Sequence, residues 1–134
     1  MSHHIETVQA IYGAFARGDV PGILAHLADD VAWDQDTPSW GLPWYEPRAG
    51  RDQVPAFFEA LLANVELARF EPRNLLAGGD QVAAVISISV VVKGRQVDDL
   101  ELHLWTFGDD GKVTRFAHVL DRHAQVAAWR GIDP

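Results

Sequence analysis

The feature that most constrains the fold is a pair of alternating segments on either side of a Gly-Asp-Asp-Gly sequence at residues 108–111. In residues 101–107 and 112–121 large or ionisable side chains recur at every second position. This pattern predicts two β-strands joined by a tight turn. One face of this hairpin carries Glu101, His103, Trp105, Phe107, Phe116, His118 and Leu120. Ionisable side chains among aromatic rings predict the lining of a cavity rather than a plain core.

The rest of the chain predicts a single α+β domain over residues 1–134, with three helices packed on one face of a curved, mostly antiparallel sheet. Apolar side chains at helical spacing predict helices over residues 3–17 and 51–67, with a short helix after Asp19 between them. Alternating and β-branched segments predict strands over residues 31–35, 68–77, 81–92, 97–107 and 112–121. Residues 123–129 are compatible with a last helical turn.

Composition excludes several kinds of function. A net charge of −8 argues against a nucleic-acid partner, since neutralising phosphates requires clustered lysine and arginine. The chain has no cysteine, which removes disulfides, thiolate metal sites and cysteine nucleophiles. Residues 1–6 show neither a basic segment nor an apolar one, and no apolar run has the length of a membrane span. We therefore expect a cytoplasmic protein that does not bind membranes.

Residues 36–50 form an unusually aromatic loop that contains Trp40, Trp44 and Tyr45. One interpretation is that these rings plug the open end of the core, and the other is that they form a lid over a ligand site. The aromatic side chains expected to line such a pocket are Trp33, Trp40, Trp44, Tyr45, Phe57, Trp105 and Phe116. A pocket of this kind suits a small, flat and mostly hydrophobic ligand, unless the rings simply fill the interior.

Three segments, in the right order, resemble the SnoaL-like proteins of the fold group that includes nuclear transport factor 2 and ketosteroid isomerase. They are YGAFARGDVPGILAHLADDVAW at residues 12–33, RAGRDQVPAFF at residues 48–58, and the hairpin segments HLWTF and GKVTRF at residues 103–107 and 111–116. The resemblance implies a cone-shaped α+β barrel that encloses an apolar pocket. It also implies a homodimer through the outer face of the sheet, as in many members.

The resemblance to ketosteroid isomerase implies that the carboxylate base of that enzyme is missing here. Its position on the first short strand falls on Gln35, and a neutral amide cannot accept the proton. By strand alternation Asp34 and Asp36 face the other side. The oxyanion-hole tyrosine of that enzyme falls on Ile11, with Tyr12 one residue away.

Two other family positions hold histidines. The oxyanion-hole aspartate of ketosteroid isomerase corresponds to His103, and the acid/base aspartate of SnoaL-type cyclases corresponds to His118. The catalytic aspartate of the similar limonene epoxide hydrolase also falls on His118. Its two partner residues, however, would fall on the apolar strand over residues 81–92, which argues against epoxide hydrolysis. The helix-one aspartate of scytalone dehydratase has no counterpart.

Glu101 lies two residues before His103 on the same face, where it could orient an imidazole or lie in solvent at the pocket rim; we favour the rim. Together with His118, these side chains could supply three metal ligands, but their spacing matches no specific metal motif. We therefore expect neither a metal nor another cofactor.

The sequence thus predicts a SnoaL-like protein that binds a small hydrophobic or polycyclic carbonyl compound. If it is an enzyme, cofactor-free proton transfer such as isomerisation, cyclisation or dehydration is expected. His118 would be the acid/base group, His103 the donor to a carbonyl or enolate oxygen, and Gln35 a polar anchor. The alternative is a non-catalytic, dimeric ligand-binding or accessory domain.

Overall fold

A computed structural model describes residues 3–132 and contains four α-helices and six β-strands in that range. The helices are α1 (His3–Ala16), α2 (Val20–Leu24), α3 (Val54–Asn64) and α4 (His123–Arg130). The strands are β1 (Leu27–Trp33), β2 (Arg48–Ala49), β3 (Val65–Gly78), β4 (Gln81–Val92), β5 (Arg95–Phe107) and β6 (Val113–Val119). Short 3₁₀ helices cover Pro43–Tyr45 and Arg51–Gln53.

The strands form one sheet in the order β2-β1-β6-β5-β4-β3. β1 and β6 are parallel, and the other neighbouring strands are antiparallel. The predicted α+β class is therefore confirmed. The sheet remains open, with the two-residue strand β2 at one edge and the long strand β3 at the other, so it does not close into a full barrel.

The hairpin of β5 and β6 forms as the sequence predicts. Gly111 has φ of 81°, a left-handed conformation that favours glycine, and the Gly108 amide donates to the Lys112 carbonyl at 2.9 Å. The register places His103 directly opposite His118. Because cross-strand neighbours in an antiparallel pair share a face, this pairing alone brings the two imidazoles to one place.

Two predicted boundaries are wrong because strand pairing competes with local periodicity. The third helix ends at Asn64 rather than residue 67, and β3 begins at Val65, which pairs with Val92. Val65 fits the helical stripe of α3 equally well, so the sequence pattern alone does not separate the two states. The first strand spans Leu27–Trp33 instead of residues 31–35, and it therefore ends before Gln35.

α1, α3 and the inner face of the sheet enclose the core. Trp33 is 2% exposed and packs against Phe116 with ring centroids 4.2 Å apart, and against Phe57 at 5.4 Å. Within residues 3–132, none of the helices is both long enough and apolar enough to cross a membrane.

We expect Asp19→Ala to destabilise the protein by about 1 kcal/mol, because Asp19 is the N-cap of α2 and its carboxylate accepts from the Gly22 amide at 2.9 Å. Chemical denaturation would measure the change. Asp19→Asn preserves a capping acceptor and should cost much less. Equal losses in the two variants would instead assign the effect to the nearby ion pair with Arg17.

Candidate functional site

A cavity of about 70 Å³ lies between α1, α3, the 3₁₀ helix at Pro43–Tyr45 and the inner face of the sheet. Its wall is mostly aromatic and aliphatic. The residues predicted from the sequence that line it are Trp33, Trp44, Tyr45, Phe57, Glu101, His103, Trp105, Phe116 and His118. The structure thus brings nine of the predicted side chains to one cavity, with the polar ones grouped where β5 faces β6.

Two predicted pocket residues lie elsewhere. Gln35 is exposed, and its side-chain amide donates to the carbonyl oxygen of Arg48 at 2.9 Å. It follows the end of β1, so the alternation that placed it beside Trp33 no longer applies. Trp40 is 59% exposed and lies in the loop outside the cavity, whereas Trp44 and Tyr45 in the same loop are buried.

Asp34, which contacts His118 through two hydrogen bonds, was not predicted as a site residue. Asp34 is fully buried, and its Oδ2 lies 2.7 Å from Nδ1 of His118. Its other oxygen, Oδ1, accepts the backbone N–H of His118 at 2.8 Å. A carboxylate in this position fixes the imidazole with its proton on Nδ1. The Nε2 lone pair of His118 then remains for a ligand or a proton.

Asp34 reaches His118 because the chain leaves the strand conformation at that residue. Its φ is 55°, which turns the side chain inward although alternation from Trp33 predicts the opposite face. Aspartate is among the residues that tolerate this left-handed region best. The Asp34 amide donates to the carbonyl of Phe116 at 2.9 Å, which ties the turn to β6. The sequence pattern predicts residues 31–35 as one continuous strand, so it did not indicate this turn.

His103 is held by a chain of hydrogen bonds from helix α1. The indole N–H of Trp105 donates to the hydroxyl oxygen of Tyr12 at 3.1 Å, and that oxygen lies 2.8 Å from Nδ1 of His103. Since an indole N–H can only donate, the Tyr12 hydroxyl proton is free to donate to His103. This arrangement places the proton of the neutral imidazole on Nε2, the nitrogen that lies 3.5 Å from Oε2 of Glu101.

Glu101 is buried rather than at a solvated rim, with only 4% of its surface exposed. Its Oε2 lies 3.5 Å from Nε2 of His103, at ion-pair distance. Among residues 3–132, neither of these two atoms has a hydrogen-bond partner. Two unsatisfied polar atoms therefore face each other in an otherwise apolar cavity, a costly arrangement unless a ligand satisfies them.

The pKa values of Glu101 and His103 both lie below their usual values, for different reasons. Burial holds the pKa of His103 below its usual value, although the nearby Glu101 carboxylate opposes the effect. Burial acts to raise the pKa of Glu101, but His103, His118 and Arg122 outweigh it and leave that pKa below its ordinary value. Burial thus disfavours the imidazolium form of His103, and the neighbouring groups favour the carboxylate form of Glu101.

Helix α4 closes the cavity on the side of the aromatic loop. The indole N–H of Trp44 donates to Oε1 of Gln125 at 3.1 Å. The guanidinium of Arg122 stacks 4.0 Å over the ring of Tyr45 and donates to the carbonyl of His118 at 3.0 Å. Gln125 and Arg122 are both buried, and neither was predicted as part of the site.

The tyrosines in the cavity wall are hydrogen-bonding groups rather than acids at neutral pH. Burial raises the pKa of Tyr12 far above its usual value, with Trp105 opposing the shift, and burial likewise raises the pKa of Tyr45. The cavity-wall side chains that can carry out acid–base chemistry are therefore those of Glu101, His103 and His118. The arrangement can deliver one oriented base, His118, and one buried donor, His103.

Known proteins with this architecture are numerous. An NTF2-like protein of unknown function from Burkholderia pseudomallei is 29% identical to this chain. The alignment covers 96% of this chain and 98% of that protein's chain, with a TM-score of 0.83. TerC, co-crystallised with polyporic acid, shares 25% identity over 96% of this chain and 99% of its own, also with a TM-score of 0.83. A protein provisionally named a polyketide cyclase, from Xanthomonas campestris pv. campestris, shares 23% identity over 94% and 96% of the two chains. Its TM-score of 0.73 supports the fold alone.

No curated protein sequence matches the chain significantly. The family model described as the SnoaL-like domain, in contrast, matches residues 8–116, which include most of α1, all of α3 and the greater part of the β5–β6 hairpin. This match covers most of the chain and extends across the cavity described above. The chain therefore belongs to the family of SnoaL-like domain proteins.

Proposed function

We propose that the protein catalyses proton transfer on a small, mostly hydrophobic carbonyl compound without a cofactor. The observation that carries this proposal is the buried Asp34–His118 pair, in which the carboxylate holds Nδ1 and leaves Nε2 available at the cavity wall. An imidazole that a carboxylate orients in a mostly apolar site can act as a general base.

In the proposed reaction Nε2 of His118 removes the proton from the carbon next to the substrate carbonyl. Asp34 stabilises the resulting imidazolium, since its carboxylate already lies 2.7 Å from Nδ1. Nε2 of His103, which lacks a hydrogen-bond partner among residues 3–132, donates to the oxygen on which negative charge develops. Return of the proton from His118 to another carbon of the enolate gives isomerisation. Attack of the enolate carbon on a second carbonyl, whose oxygen takes the proton from His118, gives cyclisation. Departure of a β-hydroxyl that takes the same proton and leaves as water gives dehydration.

The cavity supports a compact substrate better than a polycyclic one. A volume of about 70 Å³ is roughly half that of a cavity of about 150 Å³ that holds one benzene ring, so only a small ligand fits without rearrangement of the wall. The mostly apolar wall suits the body of such a ligand, and the side chains of Glu101, His103 and His118 lie together in one part of it. The substrate should thus carry its carbonyl, and any hydroxyl group that donates to Glu101, on one edge.

Exchange of carbon-bound hydrogen for deuterium tests this proposal even when the product is unidentified. Small aromatic and alicyclic ketones are first screened for binding by thermal shift, because a ligand that prefers the folded state raises its melting temperature. Each compound that binds is then incubated with the protein in D₂O and followed by proton NMR. We expect protein-dependent loss of the signal from the carbon next to the carbonyl.

The second candidate function is non-catalytic ligand binding. It is favoured by the small cavity and by the fact that Nδ1 of each histidine is already bonded to the protein. Ketones that raise the melting temperature, yet exchange no faster than in buffer, would reject the catalytic proposal and support this one.

A further inference from the structure

We infer that Glu101, His103 and His118 form a binding site for one divalent transition-metal ion of the zinc type. One ring nitrogen from each histidine and one oxygen of Glu101 lie within 4.8 Å of one another. Two imidazoles and one carboxylate are a known set of protein ligands for zinc with an open fourth position. Their spacing along the sequence follows no metal motif, and it is the pairing of β5 with β6 that brings them together.

The geometry is close to what a zinc ion needs. Ligand atoms about 2.0–2.2 Å from a tetrahedral zinc ion lie roughly 3.3–3.6 Å from one another. The distance from Nε2 of His103 to Oε2 of Glu101 is 3.5 Å, within this range. The two imidazoles are nearly perpendicular, at 86°, with ring centroids 5.0 Å apart. The ligand atoms of all three residues lie within 4.8 Å of one another, so the third distance is somewhat wider than this range.

The unsatisfied atoms provide independent support for a ligand at this position. Oε2 of Glu101 and Nε2 of His103 lack hydrogen-bond partners among the residues described, and both side chains are more than nine-tenths buried. A buried carboxylate oxygen without a partner is unfavourable. A cation placed between the carboxylate and the imidazoles would satisfy both atoms at once.

The hydrogen-bond partners of the two histidines are of the kind that orient metal-binding histidines in other proteins. Asp34 accepts from Nδ1 of His118, which is the carboxylate–histidine arrangement found around zinc sites. The hydroxyl oxygen of Tyr12 lies 2.8 Å from Nδ1 of His103. A metal on Nε2 requires the imidazole proton to move to Nδ1, so the Tyr12 hydroxyl would change from donor to acceptor in this bond. Each imidazole would thus present Nε2 to the ion from a fixed ring.

The charge balance also favours a cation. Asp34 and Glu101 are two buried carboxylates near one cavity, and the buried cation Arg122 faces the same group. A divalent ion offsets the remaining negative charge without requiring protonation of an imidazole.

This inference goes beyond the proposed function and does not rest on it. A metal bound to Nε2 of His118 occupies the lone pair that proton abstraction requires, so the metal-bound protein cannot use His118 as that base. Metal binding is measured directly, without reference to turnover. Deuterium exchange is therefore measured on the metal-free protein. Metal binding together with no exchange by the metal-free protein would reject only the proposed function, whereas exchange without metal binding would reject only this inference.

Cobalt titration provides the main test. The wild-type protein is treated with a chelator, freed of it, and titrated with Co²⁺, whose visible absorption reports its coordination; displacement by Zn²⁺ then gives the zinc affinity. We expect one equivalent to bind with a spectrum of low coordination number. Asp34→Asn should weaken zinc binding by roughly 10- to 100-fold, and Glu101→Gln should weaken it further because it removes a ligand.

His3→Asn is the matched control, because His3 lies 3.8 Å from Glu6 in an exposed histidine–carboxylate pair. It should leave the spectrum unchanged. Equal binding by wild-type protein and Glu101→Gln, or loss of binding in His3→Asn, would overturn the inference.

Soaking crystals of the wild-type protein in Zn²⁺ tests for the metal site without any variant, and so does not depend on whether the variants fold. An anomalous-scattering peak between Glu101, His103 and His118 is expected. Zinc peaks only at exposed histidines, or no peak at all, would overturn it.

Discussion

His118→Asn is expected to lower the rate of ligand deuterium exchange by roughly 10²- to 10⁴-fold, the range typical of removing a general base. Asparagine preserves much of the polar volume beside Asp34 but has no group that takes up a proton near neutral pH. The rate is measured by proton NMR with whichever ketone gives the largest thermal shift. Binding of that ketone should change much less than the exchange rate.

Asp34→Asn tests whether His118 acts as a base only when the Asp34 carboxylate orients it. The amide of asparagine can donate to Nδ1 of His118, which would move the imidazole proton to Nε2 and remove the basic lone pair from the cavity. The exchange rate should therefore fall by about as much as in His118→Asn, and the double variant should lose little more. Additive losses in the two variants would contradict the proposed pairing.

The control for both variants is His123→Asn, because His123 is exposed at the start of α4 and lies outside the cavity wall. It should preserve the wild-type exchange rate. If His118→Asn also preserves that rate while remaining folded, His118 is not the base and the proposed mechanism is wrong.

The sequence predicted the histidine pair because both residues lie inside regular strands. In β5 and β6 alternation holds, so residues 103 and 118 could be assigned to the inner face before their register was known. The same rule failed for Asp34 and Gln35, which follow the last residue of β1. A single residue with positive φ was enough to exchange their predicted positions.

The aromatic loop shows a second reason why part of the site could not be predicted. Trp40 and Trp44 lie in the same loop with similar sequence surroundings, yet only Trp44 is buried. The difference comes from α4, where Gln125 accepts the Trp44 N–H and Trp129 packs edge-on at 5.4 Å. These partners lie far away along the chain, so local pattern carries no information about them. The expected homodimer and the cytoplasmic location remain predictions.

Trp33→Ala is expected to destabilise the protein by roughly 3–5 kcal/mol, the usual cost of truncating a large buried aromatic side chain to alanine. Trp33 is 2% exposed and packs against the rings of Phe57 and Phe116. The same substitution would enlarge the cavity that it lines. Urea denaturation at neutral pH measures the loss, provided that the transition remains two-state.

Two further variants test whether the expected loss of stability in Trp33→Ala comes from the burial of Trp33 or from the removal of any indole. Trp40→Ala removes a ring that is 59% exposed, so it should change the free energy of unfolding far less than Trp33→Ala. Trp33→Phe retains most of the ring packing and removes a buried indole N–H that has no hydrogen-bond partner among residues 3–132, so its cost should also be smaller. If Trp40→Ala proved as destabilising as Trp33→Ala, the aromatic cluster around Trp33 could not be the centre of the core. A closed position for the Trp40 loop would then be needed to explain the result.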